Sequence, residues 1–166
     1  MLAGTDVEYD PFTSGGSAFG KSNVVAQSAV VTGDLRTISL EQLERARATM
    51  RFVVLESLPR TSATITFDDG YPPLAPTDGN RGLLAMFSQV SQDLGYGPVT
   101  AVDPRDAGAA DVSFPAGFID VAIDGLGPGG GDDHTVDEWT DLPTLAVQTK
   151  RAAVLMHRLT TRPGAD

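Results

Sequence analysis

Hydrophobic positions recur at helical spacing in three segments of the chain. The first follows a capping box between Ser39 and Gln42 and ends before Pro59, which cannot continue a helix. The second occupies residues 78–94, and the third follows Pro143. The pattern therefore predicts three amphipathic helices. Their apolar stripes are Leu40, Leu43, Ala46, Met50, Val53 and Val54; Leu83, Leu84, Phe87, Val90 and Leu94; and Leu145, Thr149, Ala152, Met156 and Leu159.

Apolar and β-branched residues with shorter spacing predict strands between these helices. Ser22–Arg36 contains a β-branched extended stretch, and Thr61–Asp69 alternates apolar with polar residues. Gly97–Asp103 and Phe118–Asp124 are short apolar runs with helical patterns on either side. The order up to residue 69 is strand, helix, strand, which is about half of a two-layer α/β sandwich. The later runs predict a parallel-sheet α/β unit.

A segment rich in Pro and Gly, Tyr71–Asn80, separates these two halves. We place a domain boundary inside it, with a first domain at 1–72 and a second at 73–166. The predicted fold class is α/β, with an α+β first half and a parallel-sheet second half.

Composition excludes several functional classes. The chain has 166 residues, of which 41% are hydrophobic, enough for a packed core. Its net charge of −10 disfavours nucleic acid and anionic membrane surfaces as partners. The absence of cysteine excludes disulfides and thiolate zinc sites. The first ten residues lack the pattern of a secretory signal, so we expect a soluble protein. Its compartment stays open, with the cytoplasm favoured.

The two histidines lie in different contexts. His157 is on the flank of the third apolar stripe, where we expect it to be partly buried and structural. His134 lies in the glycine-rich, acidic segment Gly127–Trp139, which suits neither a core nor a helix. This segment is either a flexible acidic loop in which the imidazole is incidental, or a tightly bent loop that presents a metal ligand.

Three motifs, taken in order, resemble a known enzyme family. They are Ser-Asn-Val-Val-Ala-Gln-Ser-Ala-Val-Val-Thr-Gly-Asp-Leu-Arg, with Asn23 and Arg36 thirteen positions apart, then Gly-Ala-Ala-Asp-Val-Ser-Phe, then Gly-Gly-Gly-Asp-Asp-His-Thr-Val-Asp-Glu-Trp. Together they resemble, over about Ser14 to Leu159, the C-terminal portion of the dizinc metallopeptidases that include glutamate carboxypeptidase, succinyl-diaminopimelate desuccinylase, acetylornithine deacetylase and aminoacylase. The resemblance implies the second half of a ferredoxin-like lid, then the end of a zinc-peptidase catalytic domain.

The resemblance implies that His134 is the last ligand of a two-zinc site. Imidazole is a ligand that suits zinc. Glu138 is then expected to orient the loop or to accept the second imidazole N–H. The alternative for Glu138 is a solvated acid in the first turn of the following helix. Asp132 and Asp133 are expected to be exposed loop residues.

The resemblance also implies substrate-binding residues. Arg36 and Asn23 are expected to bind the substrate carboxylate, Arg36 through the planar fork of its guanidinium group. The alternatives are an ion pair of Arg36 with Asp34 or Glu41, and a turn position for Asn23. Where the family has Gly-Thr-Asp, this chain has Gly-Ala-Ala-Asp, so a hydroxyl is lost, although backbone N–H groups near Gly108 remain to bind substrate.

The remaining catalytic parts of such a site are missing from the sequence. It contains no His-x-Asp and no Glu-Glu, which in the family supply metal ligands and the general base. We therefore expect no catalytic residue in this chain and no zinc held by it alone. The expected partners are a missing N-terminal half of the same enzyme, a small carboxylate-bearing amide substrate, and a second copy bound through the lid.

Three interpretations follow. The chain is part of a metallohydrolase that cleaves an amide next to a carboxylate, a non-catalytic binding or dimerisation module derived from that family, or a remnant with no independent function.

Overall fold

The computed structural model describes residues 1–104 and 106–161. The chain forms two compact units, Met1–Arg36 and Thr37–Asp166. Helices and strands are both present, so the predicted mixed α/β class is confirmed. The elements are β1 Leu2–Gly4, β2 Asp6–Asp10, β3 Gly15–Phe19, β4 Ser28–Val30, α1 Leu40–Leu55, α2 Asp78–Asp93, two 3₁₀ turns at Asp111–Ser113 and Pro115–Gly117, β5 Gly130–Gly131, β6 Trp139–Thr140 and α3 Leu142–Thr160.

The unit Met1–Arg36 is built from two antiparallel strand pairs, β1 with β4 and β2 with β3. The tip between β2 and β3 is closed by the Asp10 carboxylate. It accepts hydrogen bonds from the Phe12 backbone N–H at 2.9 Å and from the Thr13 hydroxyl at 2.8 Å. Within the predicted extended stretch Ser22–Arg36, only β4 pairs as a strand.

Helix α1 begins where the capping box predicts. The Ser39 hydroxyl accepts a hydrogen bond from the Gln42 N–H at 3.2 Å. The Gln42 side chain reaches back to the N–H of Ile38 at 2.9 Å, one residue before the expected N–H of Ser39. None of the 16 residues of α1 is buried. Its apolar stripe therefore lies mostly at the surface of this chain.

The predicted strand Thr61–Asp69 is wrong, because the segment pairs with no strand in the described part of the chain. It is held to α1 by side chains instead. The guanidinium groups of Arg47 and Arg51 lie 5.3 and 5.0 Å from the Phe67 ring centroid, and Arg47 contacts Asp69 at 2.5 Å. Two cations on one ring fix this segment without a ladder of backbone hydrogen bonds.

The two runs predicted as parallel strands, Gly97–Asp103 and Phe118–Asp124, also form no strands, and all strand pairs among the described residues are antiparallel. These runs form no strands because side chains of α2 hydrogen-bond to the backbone of each run. The Ser88 hydroxyl accepts from the Val99 N–H at 3.0 Å, and the Asn80 side-chain oxygen accepts from the Ala122 N–H at 2.7 Å. These side chains take the place of a neighbouring strand.

The core of the second unit lies between α2 and α3, both of which are confirmed. Val90 is fully buried and packs with Phe87 and Leu155. Gly95, with φ of +80°, follows the end of α2, a backbone conformation that favours glycine. Residues that pack around this cluster while keeping partial exposure are Leu83, Met86, Leu94, Val99, Ile123, Leu126 and Val154.

The compact units divide after Arg36, whereas the sequence places a domain boundary near residue 72. That boundary, with domains 1–72 and 73–166, stays a prediction. Among the described residues, no helix has the length and apolar character needed to cross a membrane.

An ion pair joins the two core helices: Arg158 of α3 donates to Asp93 of α2 at 2.6 Å. Hydrogen bonds from Gln89 and Arg158 hold the pKa of Asp93 below its ordinary value. A carboxyl group with a lowered folded-state pKa adds stability above its unfolded pKa of about 3.9, and this stability is lost as the pH falls through the folded pKa.

We therefore expect Asp93→Asn to lower the melting temperature at pH 6, and the difference from wild type to shrink below about pH 4. Thermal unfolding followed by circular dichroism across this range measures it. Asp124→Asn is the control, because the described residues show no ion pair for the exposed Asp124 carboxylate. An equal loss in both variants would contradict the role of the pair.

Candidate functional site

His134 lies near the tip of a short hairpin in which β5 pairs with β6. The backbone φ angles of Asp132 and His134 are +58° and +65°, in the left-handed region. Asp and His are among the few residue types other than glycine that enter this region with some frequency. The loop therefore turns sharply at His134, and the imidazole is exposed.

Hydrogen bonds inside the loop fix this conformation. The Asp132 carbonyl accepts from the Thr135 hydroxyl at 2.7 Å and from the Thr135 N–H at 3.2 Å. The Thr135 hydroxyl oxygen accepts in turn from the Asp137 N–H at 3.2 Å. The segment is therefore a structured, hydrogen-bonded turn.

Two glycines allow the hairpin to close beneath the Trp139 side chain. A methyl group at Gly131 would lie 3.0 Å from the indole Nε1, and one at Gly130 would lie 2.4 Å from the Trp139 carbonyl oxygen. Gly131 and Trp139 are paired across the hairpin. The indole therefore packs directly on the glycine backbone, as aromatic residues do opposite glycine in sheets.

The base of the hairpin is tied to the start of α3. The Asp141 N–H donates to the Gly129 carbonyl at 2.7 Å, and the Gly129 N–H donates to the Thr144 hydroxyl at 2.7 Å. One turn further, the Gln148 side chain donates to the Gly127 carbonyl at 3.0 Å. These bonds hold the loop of His134 against a helix that is itself part of the core.

Glu138 precedes β6, and α3 begins only at Leu142. The alternative that Glu138 is a first-turn acid of that helix is therefore wrong. Its backbone N–H bonds weakly to the Thr135 carbonyl at 3.4 Å. Within the described residues, its carboxylate has no ion pair or hydrogen bond, so its role beside His134 stays a prediction.

The residues present do not fit a zinc site by themselves. In the described part of the chain, no group of three or more His, Cys, Asp or Glu side chains converges to hold a metal ion. Zinc in proteins needs at least three protein ligands. Asp132 and Asp133 are exposed, as expected for loop residues. His134 is thus a candidate for one ligand of a larger set.

The second histidine differs from its prediction. His157 is exposed, in the last turn of α3, so the expectation of partial burial is wrong. It is two positions after the buried Leu155, about 200° around the helix axis, and so lies nearly on the opposite face. Its carbonyl oxygen accepts from the hydroxyl of Thr161 at 2.7 Å, which closes the helix end.

The candidate carboxylate-binding residues lie in the first unit. Asn23 is in the turn in which the Val24 N–H bonds to the Lys21 carbonyl at 3.1 Å, and it is exposed. The Arg36 Nε donates to Asp34 at 2.7 Å, with 75% of the arginine side chain exposed. Both features match the alternatives weighed for these residues, so their substrate-binding roles stay predictions.

Gly108 lies in an exposed stretch before the first 3₁₀ turn, and no neighbouring atom restricts the space at its Cα. The turn that follows is held by a residue that the sequence analysis missed. The Tyr71 hydroxyl donates to the Asp111 carboxylate at 2.9 Å, and its ring centroid lies 5.0 Å from that of Phe114. The hydrogen bond to Asp111, together with the negative charge of the Asp111 carboxylate, raises the pKa of Tyr71.

Replacing His134 by glycine tests the left-handed backbone. We expect His134→Gly to stabilise the chain by about 0.5–1 kcal/mol, because glycine carries no Cβ penalty at this φ angle. His157→Gly is the matched control in a helix, where glycine should destabilise the chain by about 0.3–0.5 kcal/mol, the difference between the helix propensities of histidine and glycine. Urea unfolding of both variants measures the two changes, and a loss of stability in His134→Gly would contradict the strained turn.

Comparison with known proteins supports the sequence resemblance. The model of the peptidase family M20/M25/M40 matches residues 6–158, most of the chain. Comparison with curated proteins and with solved structures gave no match.

Proposed function

Because the chain belongs to the peptidase family M20/M25/M40, we propose that it forms part of a metal-dependent hydrolase that cleaves an amide or peptide bond next to a carboxylate. The family match over residues 6–158 is the observation that carries this proposal. In this proposal, residues 1–72 form the second half of a lid, and residues 73–166 form the C-terminal part of the catalytic domain.

In this proposal His134 supplies one ligand to a site of two zinc ions. The structured turn and its attachment to α3 support this role, since a ligand that is already held in place helps a metal site to form. Glu138 lies on the same hairpin and would orient the loop. The remaining ligands and the general base would come from the N-terminal half of the enzyme, so this chain alone would neither hold zinc nor hydrolyse substrate.

Arg36 and Asn23 would bind the substrate carboxylate. Only the Nε of Arg36 is engaged, by Asp34, and within the described residues its two terminal nitrogens have no partner. A guanidinium group can bind one carboxylate along each edge, so Asp34 would orient the side chain while the other edge binds substrate. The backbone N–H groups near Gly108 would contribute a second polar contact.

A second copy of the chain is the proposed protein partner, bound through the lid. Helix α1 supports this, because several of its apolar residues are exposed in the described structure, among them Met50, Phe52, Val53 and Leu55. An exposed apolar surface of this kind marks an interaction site. The same surface also favours the second candidate function, a non-catalytic dimerisation module.

Both candidate functions predict weak zinc binding by this chain alone. We expect the chain alone to bind zinc no more tightly than an exposed histidine does, because one ligand cannot form a closed site. Calorimetric titration of wild type, His134→Ala and His157→Ala should give the same weak binding for all three. Tight stoichiometric binding by the chain alone would contradict the proposed incomplete site.

Joined to a segment that carries His-x-Asp and Glu-Glu ligands, the same chain should bind two zinc ions and hydrolyse N-acyl amino acids. Here His134→Ala should lose zinc and activity, whereas His157→Ala should keep both. A joined protein that folds but shows neither property would favour the dimerisation module.

Kinetics of the complete enzyme test Arg36. We expect Arg36→Ala to lower kcat/KM about 100-fold, through loss of roughly 3 kcal/mol from hydrogen bonds to a charged group. Arg36→Lys should recover only part of this, since an ammonium group cannot form the two parallel bonds. Zinc content should stay the same, and the melting temperature should change little because the pair with Asp34 is exposed.

Arg45→Ala is the matched control, since Arg45 is an exposed arginine in an ion pair with Glu41. It should leave the kinetics unchanged. If Arg36→Ala behaved like this control, Arg36 would be a surface ion pair and not a substrate ligand.

A further inference from the structure

We propose that Tyr71 is a positioning residue that fixes the turn after Gly108 in place for substrate. This inference rests on the proposed function, which assigns the backbone N–H groups near Gly108, immediately before that turn, to substrate binding. The observation behind it is the bond between the Tyr71 hydroxyl and the Asp111 carboxylate, which joins residues 40 positions apart.

Among the described residues, the turn's own hydrogen bonds are all local, including one from the Ser113 hydroxyl to the Ala110 carbonyl at 2.8 Å, and none of them connects the turn to another element. The 3₁₀ turn Asp111–Ser113 begins after Ala110, whose methyl side chain cannot cap it. Its backbone bonds are few: the Ser113 N–H to the Ala110 carbonyl at 3.0 Å and the Phe114 N–H to the Asp111 carbonyl at 3.1 Å. A turn of this kind opens easily unless another element holds it.

Tyr71 makes two contacts to this turn at once. Its hydroxyl bonds to Asp111 at the start, and its ring packs at a tilt of 53° on Phe114 at the end. A hydrogen bond to a charged acceptor is stronger than one between neutral groups. The two contacts span the turn, so they resist both its rotation and its unwinding.

The position of this tether fits the unusual sequence of the turn. Two alanines in Gly-Ala-Ala-Asp leave no hydroxyl beside Gly108. Tyr71 brings a hydroxyl to the same turn from a distant part of the chain, directed at the carboxylate and not at substrate. Its effect on substrate is therefore indirect, through the placement of the backbone N–H groups.

Hydrogen exchange in this chain tests the tether. We expect Tyr71→Phe, which keeps the ring and removes the hydroxyl, to speed the exchange of the Ser113 and Phe114 amides about three- to tenfold. Tyr96→Phe is the control, because the hydroxyl of Tyr96 contacts Lys150 instead. Asp111→Asn keeps an acceptor oxygen and should have a smaller effect than Asp111→Ala.

The double variant shows whether the two groups act through each other. If they do, Tyr71→Phe combined with Asp111→Ala should exchange no faster than the more severe single variant. Unchanged exchange in Tyr71→Phe, or additive effects in the double variant, would overturn the tether.

Kinetics of the complete enzyme test its purpose. We expect Tyr71→Phe to raise KM about three- to tenfold with kcat nearly unchanged, since binding contacts are weakened while the reacting groups stay in place. Faster exchange with an unchanged KM would overturn the positioning role. An inactive wild-type enzyme would instead overturn the proposed function, and the exchange measurements would still decide whether Tyr71 holds the turn.

Discussion

The packing of α2 on α3 is the contact on which the second unit depends. Val90 is fully buried there, with Phe87 and Leu155 against it. The same two helices also hold the irregular parts of the unit. Ser88 and Asn80 of α2 bond the backbone of the segments around Val99 and Ala122, and α3 bonds the base of the His134 hairpin. A small core thus positions loops that have little core of their own.

The helices could be predicted from sequence because their signals are local. A capping serine, an apolar repeat and a following proline or glycine lie within a few residues of each other, as around α1. The strands could not be predicted in this way, because a strand forms only by pairing with a second strand that can lie far away in the sequence. Ile65 and Phe67 keep the predicted alternation of burial, yet their segment packs on arginine side chains of α1. The pattern identified two partly buried side chains, although Ala63 is exposed, and it predicted strand pairing incorrectly.

Some features of the candidate site could likewise be predicted from the sequence, and others could not. The bent loop at His134 could be predicted, because glycines next to Asp and His favour left-handed backbone. The role of Tyr71 could not be predicted, since its segment has the Pro- and Gly-rich composition of a linker and its partner Asp111 is 40 residues away. Long-range polar contacts between exposed residues leave no periodic trace in a sequence. Such contacts emerge only from the folded chain.

The hairpin that carries His134 also contains the only tryptophan of the chain, Trp139. Its indole lies over Gly131 and is half exposed. The ultraviolet emission of the whole protein at tryptophan wavelengths therefore originates five residues from the imidazole. The molecule contains a built-in optical probe of this one loop, and its signal is not diluted by other indoles.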